Sequence, residues 1–266
     1  MDTRFTAAHR GGSGEPLVLL HGFTDTWRTW ELVLPALERR HDVLAPTLAG
    51  HAGGPPLPED APPDEAVVAA AERAMDEAGF ATAHLAGNSL GGYVALRLAA
   101  RARARSVTAF APAGGWAAGD DAYLETLDHF VAIQPAIERA APHADALVAT
   151  PDGRRRAAEF MAERWEHIPP ALLAHQIRGA GACAGFAELD AHARAAGWPL
   201  EPERVTCPVR IVWGTADRIL PWPRAAERYR VMFPQADWVE LDGVGHGAQL
   251  DVPLLASQLI LGFTAP

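Results

Sequence analysis

The sequence GNSLG at residues 87–91 places Ser89 between glycines two positions to either side. A short apolar run precedes this turn and an amphipathic stretch follows it, so it joins a predicted strand to a predicted helix. In such a turn the serine takes a sparsely allowed backbone conformation that exposes its hydroxyl, and glycines prevent collisions with the neighbouring elements. The helix N-terminus supplies N–H groups where an oxyanion could form. We predict Ser89 as a nucleophile; the alternative is an ordinary glycine-rich turn.

A serine hydroxyl is a poor nucleophile unless a base removes its proton. Of the eleven histidines, His246 lies in the sequence DGVGHGAQL, between the last predicted strand and the last predicted helix. Its ring should therefore emerge at the carboxyl end of the sheet, where the surrounding glycines leave it room. His21 also follows a predicted strand, but its early place in the chain suits another role. His51, in a loop rich in glycine and proline, is a minor rival. We predict His246 as the base.

The third group of such a site is a carboxylate that fixes the imidazole tautomer and stabilises its cation. Asp217 comes just after the predicted strand 209–213, in a loop at the same end of the sheet. Four other aspartates lie near the histidine in sequence or beyond an earlier strand: Asp120, Asp121, Asp242 and Asp251. The first two are separated from their strand by residues 112–114, and the other two do not occupy the exit of the preceding strand. Asp217 is the predicted acid.

Alternating apolar runs and amphipathic stretches must position these three side chains. The pattern predicts a strand at 16–22, a helix at 27–39, a strand at 42–45, a helix at 62–79, a strand at 82–86, a helix at 89–102 and a strand at 106–114. It resumes with strands in 207–217 and 236–246 and with helices near 222–232 and from 248. Such alternation predicts right-handed βαβ units and a mostly parallel, doubly wound sheet covered by helices, which is an α/β fold.

The alternation breaks between residues 116 and 198, where helix-like segments carry recurring apolar residues and no core strand is evident. We predict a core formed by residues 1–115 and 199–266, with residues 116–198 inserted as a helical cap. The aromatic and leucine-rich content of the insertion favours an apolar or aromatic substrate, unless those side chains form the cap's own core. Trp27 and Trp222 are further candidates for the substrate pocket.

Composition and charge restrict the class of protein and its partners. The 266 residues, 49% of them hydrophobic, suffice for one large domain or for a domain with an insertion. The formal net charge of -10 argues against a nucleic-acid or anionic-membrane partner, because phosphate binding needs a basic surface. No apolar stretch predicts a leader or a membrane span, and two lone cysteines indicate a reducing compartment. We expect a cytoplasmic protein that acts on a small molecule; the oligomeric state is left open.

The sequence contains no cluster of His, Cys and carboxylates with metal-ligand spacing, and no glycine-rich phosphate loop. We therefore expect no metal site and no organic cofactor.

The whole pattern resembles the α/β-hydrolase superfamily, specifically its serine-nucleophile, esterase-like members with a helical cap. The resemblance extends over nearly the whole chain: the early HG at 21–22, the serine turn, the insertion, and the order Ser89, Asp217, His246. It implies an α/β-hydrolase fold. It also implies a serine hydrolase of the carboxylesterase type, which cleaves an ester or a related acyl bond through an acyl-enzyme.

The sequence LLHGFTDTW matches the family's oxyanion loop. By that resemblance the backbone N–H groups of Phe23 and Leu90 hold the oxyanion, and His21 shapes the loop without transferring protons. Thr47 departs from the pattern, because relatives often carry an aspartate there, and this alters the hydrogen bonding of its loop. Dehalogenases and epoxide hydrolases of this fold use an aspartate in the place of Ser89, so neither displacement chemistry is expected.

The resemblance leaves three other functions open. A C–C bond hydrolase that acts on β- or vinylogous diketones uses the same constellation and is the nearest alternative. Cofactor-free perhydrolases and haloperoxidases also look alike. Some members bind a small ligand as receptors and turn over slowly or not at all, although an intact triad disfavours this role.

Overall fold

A seven-stranded sheet forms the centre of the computed structural model, which describes residues 5–264. The strands of the chain are β1 (Ala8–Gly12), β2 (Glu15–Leu20), β3 (His41–Pro46), β4 (Ala83–Asn88), β5 (Ala104–Phe110), β6 (Trp116–Ala117), β7 (Gly197–Trp198), β8 (Val209–Gly214) and β9 (Asp237–Leu241). The sheet has the order β1-β3-β2-β4-β5-β8-β9. Every neighbouring pair in it is parallel except β1 and β3. The predicted mostly parallel α/β sheet is confirmed.

Helices cover both faces of this sheet. The helices of the described residues are α1 (Leu34–Leu37), α2 (Pro63–Glu77), α3 (Leu90–Ala100), α4 (Asp121–Ala140), α5 (Ala144–Val148), α6 (Pro151–Ala158), α7 (Pro170–Gly181), α8 (Phe186–Ala196), α9 (Arg224–Met232), α10 (Ala248–Asp251) and α11 (Pro253–Thr264). Of these, α2, α3 and α9 lie on one face of the sheet, and α1 and α11 lie on the other. Short 3-10 turns occupy Trp27–Trp30, Ala141–His143 and Pro202–Arg204. Within residues 5–264, no helix combines the length and the apolar character that crossing a membrane requires.

Alternate residues of β2 face opposite sides of the sheet and belong to different parts of the core. Val18 and Leu20 pack in one cluster with side chains of α2, α3 and α9. Leu17 and Leu19 pack in a second cluster with side chains of α1 and α11. All four side chains are fully buried. A strand covered on both faces needs a continuous apolar run, which explains why LVLL lacks the alternation of a half-exposed strand.

Two local elements differ from what the sequence pattern predicts. The single helix predicted for residues 27–39 is a 3-10 turn followed by the four-residue α1. Pro35 has no N–H to continue a helix that begins at residue 27, but it is tolerated in the first turn of α1, where such a donor has no partner in the helix. The edge strand β1 has no counterpart among the predicted strands, because AHRGG has no apolar alternation; it pairs with β3, and Arg10 contacts Asp42 across the pair.

The chain leaves the sheet after β5 and re-enters it at β8, and the segment between contains α4 to α8. The two-residue strands β6 and β7 pair antiparallel at the ends of this segment, with Trp116 opposite Trp198. A third apolar cluster lies largely within the segment; Leu172 and Leu173 of α7 are buried there together with Leu250 from the core. We interpret residues 116–198 as a helical cap whose apolar residues partly pack on one another.

The parallel strands end at one edge of the sheet, and the loops that follow them meet there. β2 leads into the loop at residues 21–26, β4 into the serine turn, β8 into the loop of Asp217, and β9 into the loop of His246. These four loops come from distant parts of the sequence. The parallel sheet therefore brings all predicted chemical groups to the same rim.

Candidate active site

Ser89 lies between the last residue of β4 and the first residue of α3, with φ 55° and ψ -119°. A positive φ is sparsely populated for a residue with a side chain and persists only where the surroundings hold it. Here the serine N–H donates to the carbonyl of Phe110 at 3.0 Å, and its carbonyl accepts from the N–H groups of Ala113 and Tyr93 at 2.9 and 3.1 Å. The backbone of the serine turn is thus tied to both the sheet and the helix.

The two glycines of the turn are required by close backbone packing. A Cβ atom on Gly87 would lie 2.2 Å from the carbonyl oxygen of Gly91. One on Gly91 would lie 2.0 Å from the carbonyl oxygen of Leu20 in β2. Both distances are far below van der Waals contact and both partners are backbone atoms. These close approaches explain why positions 87 and 91 are occupied by glycine.

Asp217 and His246 form a buried hydrogen-bonded pair. The Nδ1 atom of the imidazole lies 2.7 Å from Oδ2 of the carboxylate. The other carboxylate oxygen accepts from the backbone N–H groups of Ile219 and Leu220, each at 2.9 Å. An ionised carboxylate only accepts, so Nδ1 is the donor and Nε2 of the neutral ring is left as an acceptor. The arrangement fixes the tautomer that a general base requires.

Asn88 connects the histidine loop with the serine turn. Its Nδ2 atom donates to the backbone carbonyl of His246 at 3.0 Å and to that of Phe110 at 3.2 Å. Its Oδ1 atom accepts from Nε2 of Gln249 at 3.1 Å, and that amide also donates to Thr29 at 3.0 Å. No sequence pattern indicated Asn88 or Gln249, because their roles depend on loops that approach only in the folded chain.

Asp251 also supports the histidine loop, although it is not the partner of the imidazole. It is buried, and its Oδ2 atom accepts from the N–H of Gly245 at 2.7 Å. Its carboxylate also accepts from the N–H groups of Glu163 and Arg164, at 3.1 and 2.8 Å, in the inserted segment. Asp251 therefore holds the segment 163–164 against the loop that carries His246.

The loop after β2 lies directly beside the serine. A Cβ atom on Gly22 would be 3.4 Å from Cβ of Ser89. His21 is fully buried; its Nδ1 contacts the carbonyl of Gly22 at 2.8 Å, and its Nε2 accepts from the N–H of Leu48 at 2.8 Å. Burial holds the pKa of His21 well below its usual value. Both ring nitrogens are occupied, which fits a role in shaping the loop.

Helix α7 of the inserted segment holds the same loop from the other side. Nε2 of Gln176 donates to Oδ2 of Asp25 at 3.1 Å, and Nε2 of His175 lies 3.0 Å from the hydroxyl of Thr26. Burial raises the pKa of Asp25 above its usual value and lowers the pKa of His175 to about 4. These contacts attach the insertion to the loop that contains Phe23.

Thr47 and His51, which the sequence analysis named, lie after β3, and each has its own hydrogen-bond partner. Thr47, which departs from the family pattern, donates to the backbone carbonyl of Thr6 at 3.1 Å. His51 is buried, its Nδ1 contacts the carbonyl of Ala49 at 2.9 Å, and its ring packs on His21. Burial lowers the pKa of His51 to about 4, so the ring is neutral near pH 7.

Ser89 and Leu90 line a cavity whose walls come from both the core and the inserted segment. Phe23 lines it from the loop after β2, and Trp116 and Phe130 line it from the inserted segment. The rings of Phe23 and Phe130 meet edge to face, with centroids 5.3 Å apart. The walls of the cavity are predominantly apolar.

The tryptophans that the sequence suggested for the pocket lie elsewhere. Among residues 5–264, neither Trp27 nor Trp222 lines the cavity beside the serine. Nε1 of Trp27 donates to the hydroxyl of Thr6 at 2.8 Å, and Trp222 faces the guanidinium of Arg230 at 6.0 Å. Proximity in sequence to a site loop did not place these side chains in the cavity.

The described residues 5–264 contain no group of three or more His, Cys, Asp or Glu side chains that could hold a metal ion. The two cysteines are not suited to act as nucleophiles. Burial raises the pKa of Cys183 to about 12 and that of Cys207 above its usual value, so both are thiols near pH 7.

The comparisons with known proteins agree with this fold. A profile of the alpha/beta hydrolase family matches residues 17–257. The chain belongs to this family. It therefore has the alpha/beta hydrolase fold and is a hydrolase by enzyme class, as the sequence predicted. The alpha/beta hydrolase is 32% identical over 193 residues to the epoxide hydrolase EphH of Mycobacterium tuberculosis, a match that covers 72% of this chain and 90% of the relative.

Two further similarities concern other hydrolases of the family. A 2-hydroxymuconate semialdehyde hydrolase of a Pseudomonas species, strain CF600, is 38% identical over 100 residues, 36% of this chain and 35% of the relative. The crystal structure of a bacterial membrane phospholipase A superposes with a TM-score of 0.73 at 25% identity, covering 96% of this chain and 81% of that chain. The relatives thus differ in the bond that their names say they cleave.

Proposed function

We propose that this alpha/beta hydrolase is a serine hydrolase of the carboxylesterase type, which cleaves a carboxylic ester or a related acyl bond of a small apolar substrate. The observation that carries the proposal is the 2.7 Å contact between His246 Nδ1 and Asp217 Oδ2. It leaves Nε2 of the histidine free to accept a proton, on a loop that Asn88 ties to the turn of Ser89.

The reaction proceeds in two steps through an acyl-enzyme. Nε2 of His246 takes the proton of Ser89 as its oxygen bonds to the carbonyl carbon, and Asp217 stabilises the imidazolium. The tetrahedral intermediate collapses when the C–O bond to the alcohol breaks and the imidazolium protonates that oxygen. Water then attacks the acyl-enzyme in the same way, and the carboxylic acid and free serine result.

The oxyanion of each tetrahedral intermediate is held by the backbone N–H groups of Phe23 and Leu90. Leu90 is the first residue of the eleven-residue α3, so its N–H has no carbonyl partner within the helix, and the positive end of the helix dipole adds to the field. Removing one such donor typically costs about 3 kcal/mol of transition-state stabilisation. Since both donors are backbone groups, side-chain substitution alone does not remove them.

The similarity to an epoxide hydrolase does not extend to the reaction, because the residue at the turn is Ser89 and not an aspartate. Opening an epoxide by Ser89 would form an ether, which water does not hydrolyse through an oxyanion at a carbonyl carbon. An aspartate nucleophile forms an ester instead, and that ester can be hydrolysed. The serine therefore favours substrates that already contain a carbonyl group.

A C–C bond hydrolase is the second candidate, and the partial match to the 2-hydroxymuconate semialdehyde hydrolase favours it. In this reaction water, activated by His246, adds to a ketone carbonyl. The C–C bond then breaks, and the carbanion that leaves is stabilised by a second carbonyl group. The same oxyanion donors and the same base serve both reactions, so the substrate decides between them.

A fluorophosphonate probe tests the nucleophile directly. We expect the wild-type protein and the exposed-site control Ser13→Ala to be labelled and to hydrolyse p-nitrophenyl esters, and Ser89→Ala to do neither. Hydrolysis of a diketone panel at a higher kcat/KM than any ester would favour the C–C hydrolase. A folded wild-type protein that is neither labelled nor active would refute a serine hydrolase and favour a ligand receptor.

A further inference from the structure

The loop after β2 has a strained backbone next to Phe23. Thr24 has φ 65°, a conformation that residues with side chains rarely adopt and that persists only where the surroundings hold it. The adjacent N–H of Phe23 is one of the two proposed oxyanion donors. A functional group of this kind has to be held within about 0.5 Å of its working position. The contacts that hold this loop therefore bear directly on the proposed reaction.

Three rings surround the side chain of Phe23. Phe186 stacks on it, with centroids 5.2 Å apart and planes 19° from parallel. Phe130 meets it edge to face at 5.3 Å, and His51 meets it edge to face at 6.0 Å. Aromatic pairs in these geometries stabilise their arrangement beyond the effect of burial alone. Since Phe130 and Phe186 belong to α4 and α8, two helices of the inserted segment contact the ring of the proposed donor residue.

Phe130 and Phe186 differ in their relation to the cavity beside Ser89. Phe130 lines the cavity together with Phe23, whereas Phe186 is not part of the cavity wall among residues 5–264. A substitution at Phe130 changes the wall itself. A substitution at Phe186 leaves the side chains of the wall in place and removes a contact behind Phe23. An effect on the loop can thus be separated from an effect on substrate contact at Phe186.

The start of α8, which carries Phe186, is fixed against the core by a close approach of two glycines. The N–H of Gly185 donates to the carbonyl of Gly50, in the loop after β3, at 2.8 Å. A Cβ atom on Gly185 would lie 2.9 Å from Cα of Gly50. The N–H of Phe186 itself donates to the carbonyl of Cys183 at 3.1 Å. The backbone beneath the Phe186 ring therefore has a defined position relative to the core.

Polar contacts and ring contacts hold different halves of the loop. Gln176 and His175 of α7 reach Asp25 and Thr26, which follow the strained Thr24. The rings that surround Phe23 act on the residue before Thr24. The polar contacts therefore hold the second half of the loop, and the position of the Phe23 backbone depends on the packing of its ring.

We propose that Phe186 is a positioning residue of the oxyanion hole: its stack on the Phe23 ring holds the Phe23 N–H where the oxyanion forms. This inference rests on the proposed function, because the oxyanion arises when Ser89 attacks a carbonyl group. The inserted segment then has a role beyond covering the cavity, since one of its rings supports the transition state without contact with the substrate.

Substitution of Phe186 tests this role in steady-state kinetics on the best p-nitrophenyl ester. Phe186→Leu keeps an apolar side chain but removes the ring. We expect kcat to fall about tenfold or more with KM within about twofold, because both steps form an oxyanion and complete loss of a donor costs about 10²- to 10³-fold. Phe186→Tyr keeps the ring and should retain kcat within about threefold. Phe186→Met replaces the leucine variant if that variant does not fold.

Phe263→Leu is the matched control for the loss of a ring. Phe263 is a half-buried phenylalanine like Phe186, but it lies in α11 and its ring faces the guanidinium of Arg210 at 4.5 Å. Its kcat should equal that of the wild type, and thermal unfolding verifies the fold of each variant. A folded Phe186→Leu or Phe186→Met protein with the kcat of the wild type overturns the inference.

A trifluoromethyl ketone with the acyl chain of the best ester separates oxyanion binding from substrate contact. The oxygen of Ser89 bonds to its carbonyl carbon, Nε2 of His246 takes the serine proton, and the carbonyl oxygen becomes an oxyanion. Phe186→Leu should raise its inhibition constant about tenfold or more, and that of the matching methyl ketone, which adds far less readily, by less than about twofold. Equal weakening of both ketones would assign the effect to the cavity and overturn the inference.

A double-mutant cycle shows whether Phe186 acts through Phe23. Phe23→Leu removes the ring on which Phe186 stacks but keeps the backbone N–H. In that background Phe186→Leu should lower kcat by less than about twofold, because the contact through which it acts is already lost. A tenfold loss in both backgrounds would show that the two residues act independently, and the inference would fail.

Failure of this inference and failure of the proposed function give different results. A wild-type protein that hydrolyses neither esters nor diketones and forms no adduct with the trifluoromethyl ketone refutes the hydrolase, and the role of Phe186 with it. Ester hydrolysis through Ser89 that is equally fast in Phe186→Leu leaves the hydrolase standing and refutes only the role of Phe186. If a diketone is the better substrate, the same variants are compared on it, because that reaction uses the same donors.

Discussion

The side chain of Asn88 donates a hydrogen bond of 3.0 Å to the backbone carbonyl of His246. The residue beside the proposed nucleophile therefore holds the loop of the proposed base. Asn88 itself is held by Gln249, which also reaches Thr29 near the loop after β2. The serine turn and the histidine loop are thus joined by the amide of Asn88, and the amide of Gln249 connects Asn88 to the 3-10 turn Trp27–Trp30.

Replacing Asn88 tests this connection. Asn88→Asp keeps the shape but removes both Nδ2 donors and brings a carboxylate against two carbonyl oxygens. We expect kcat to fall about 10- to 100-fold with a smaller change in KM, because small misplacements of reacting groups have effects of this size. Steady-state kinetics on the best p-nitrophenyl ester measures this, with thermal unfolding to verify the fold. An unchanged kcat in a folded variant would show that the connection does not position the base.

Asp217→Asn should lower kcat by about 10⁴-fold, the order found when the acid of such a triad is replaced by its amide. The amide cannot reproduce a carboxylate that accepts at both oxygens, so the favoured tautomer of His246 is lost. Asp242→Asn is the matched control: this aspartate is exposed, and its carboxylate accepts from Thr215 at 3.2 Å. Equal losses in the two variants would remove Asp217 from the proposed triad.

Gly91→Ala should destabilise the protein by about 1–3 kcal/mol, the usual range for overpacking, because the added Cβ would lie 2.0 Å from the Leu20 carbonyl oxygen. Gly262→Ala is the control, since a Cβ there meets nothing within 4 Å. This glycine lies inside α11, so alanine should raise the free energy of unfolding by up to about 1 kcal/mol. Urea unfolding measures both. A Gly91→Ala variant as stable as the wild type would contradict the packing argument.

The buried His51 should make the protein less stable in mild acid. Its folded pKa is about 4, below the usual 6.5, so the unfolded chain binds a proton more readily. The stabilising effect is complete above about pH 6.5 and is lost as the pH falls towards 4, by about 1.4 kcal/mol for each pH unit across that window.

Urea unfolding between pH 4.5 and 7.5 tests the role of His51. His51→Asn removes this titration, so the difference in unfolding free energy between wild type and variant should shrink as the pH falls. His143→Asn, at an exposed position, serves as the control and should leave the profile parallel to that of the wild type. A constant difference for His51→Asn would mean that the ring does not titrate as its burial requires.

Most strands of the sheet could be predicted from the sequence, because each depends on the pattern of neighbouring residues. Apolar runs indicated β2, β3, β4, β5 and β8, since strands buried on both faces need apolar side chains on both. The edge strand β9, DWVEL, is buried at only one of its five residues and was indicated by its place in the alternation of strands and helices. The turn at Ser89 could be recognised because backbone atoms exclude a Cβ at Gly87 and Gly91. Elements whose stability comes from partners lack such a signal; β1 is polar and exists because β3 pairs with it.

Which side chains surround the site is decided by segments that are distant in sequence and meet only in the folded chain. Asp217 could be chosen by its place after a strand, but only the folded chain shows its carboxylate on His246. Trp27 and Trp222 lie near site loops in sequence, yet their side chains bond and pack away from the cavity. Trp116 and Phe130 line the cavity from the inserted segment, for which spacing predicts no register against the sheet. Local sequence determines which conformations the backbone can adopt, whereas side-chain contacts between distant loops depend on the packing of the whole chain.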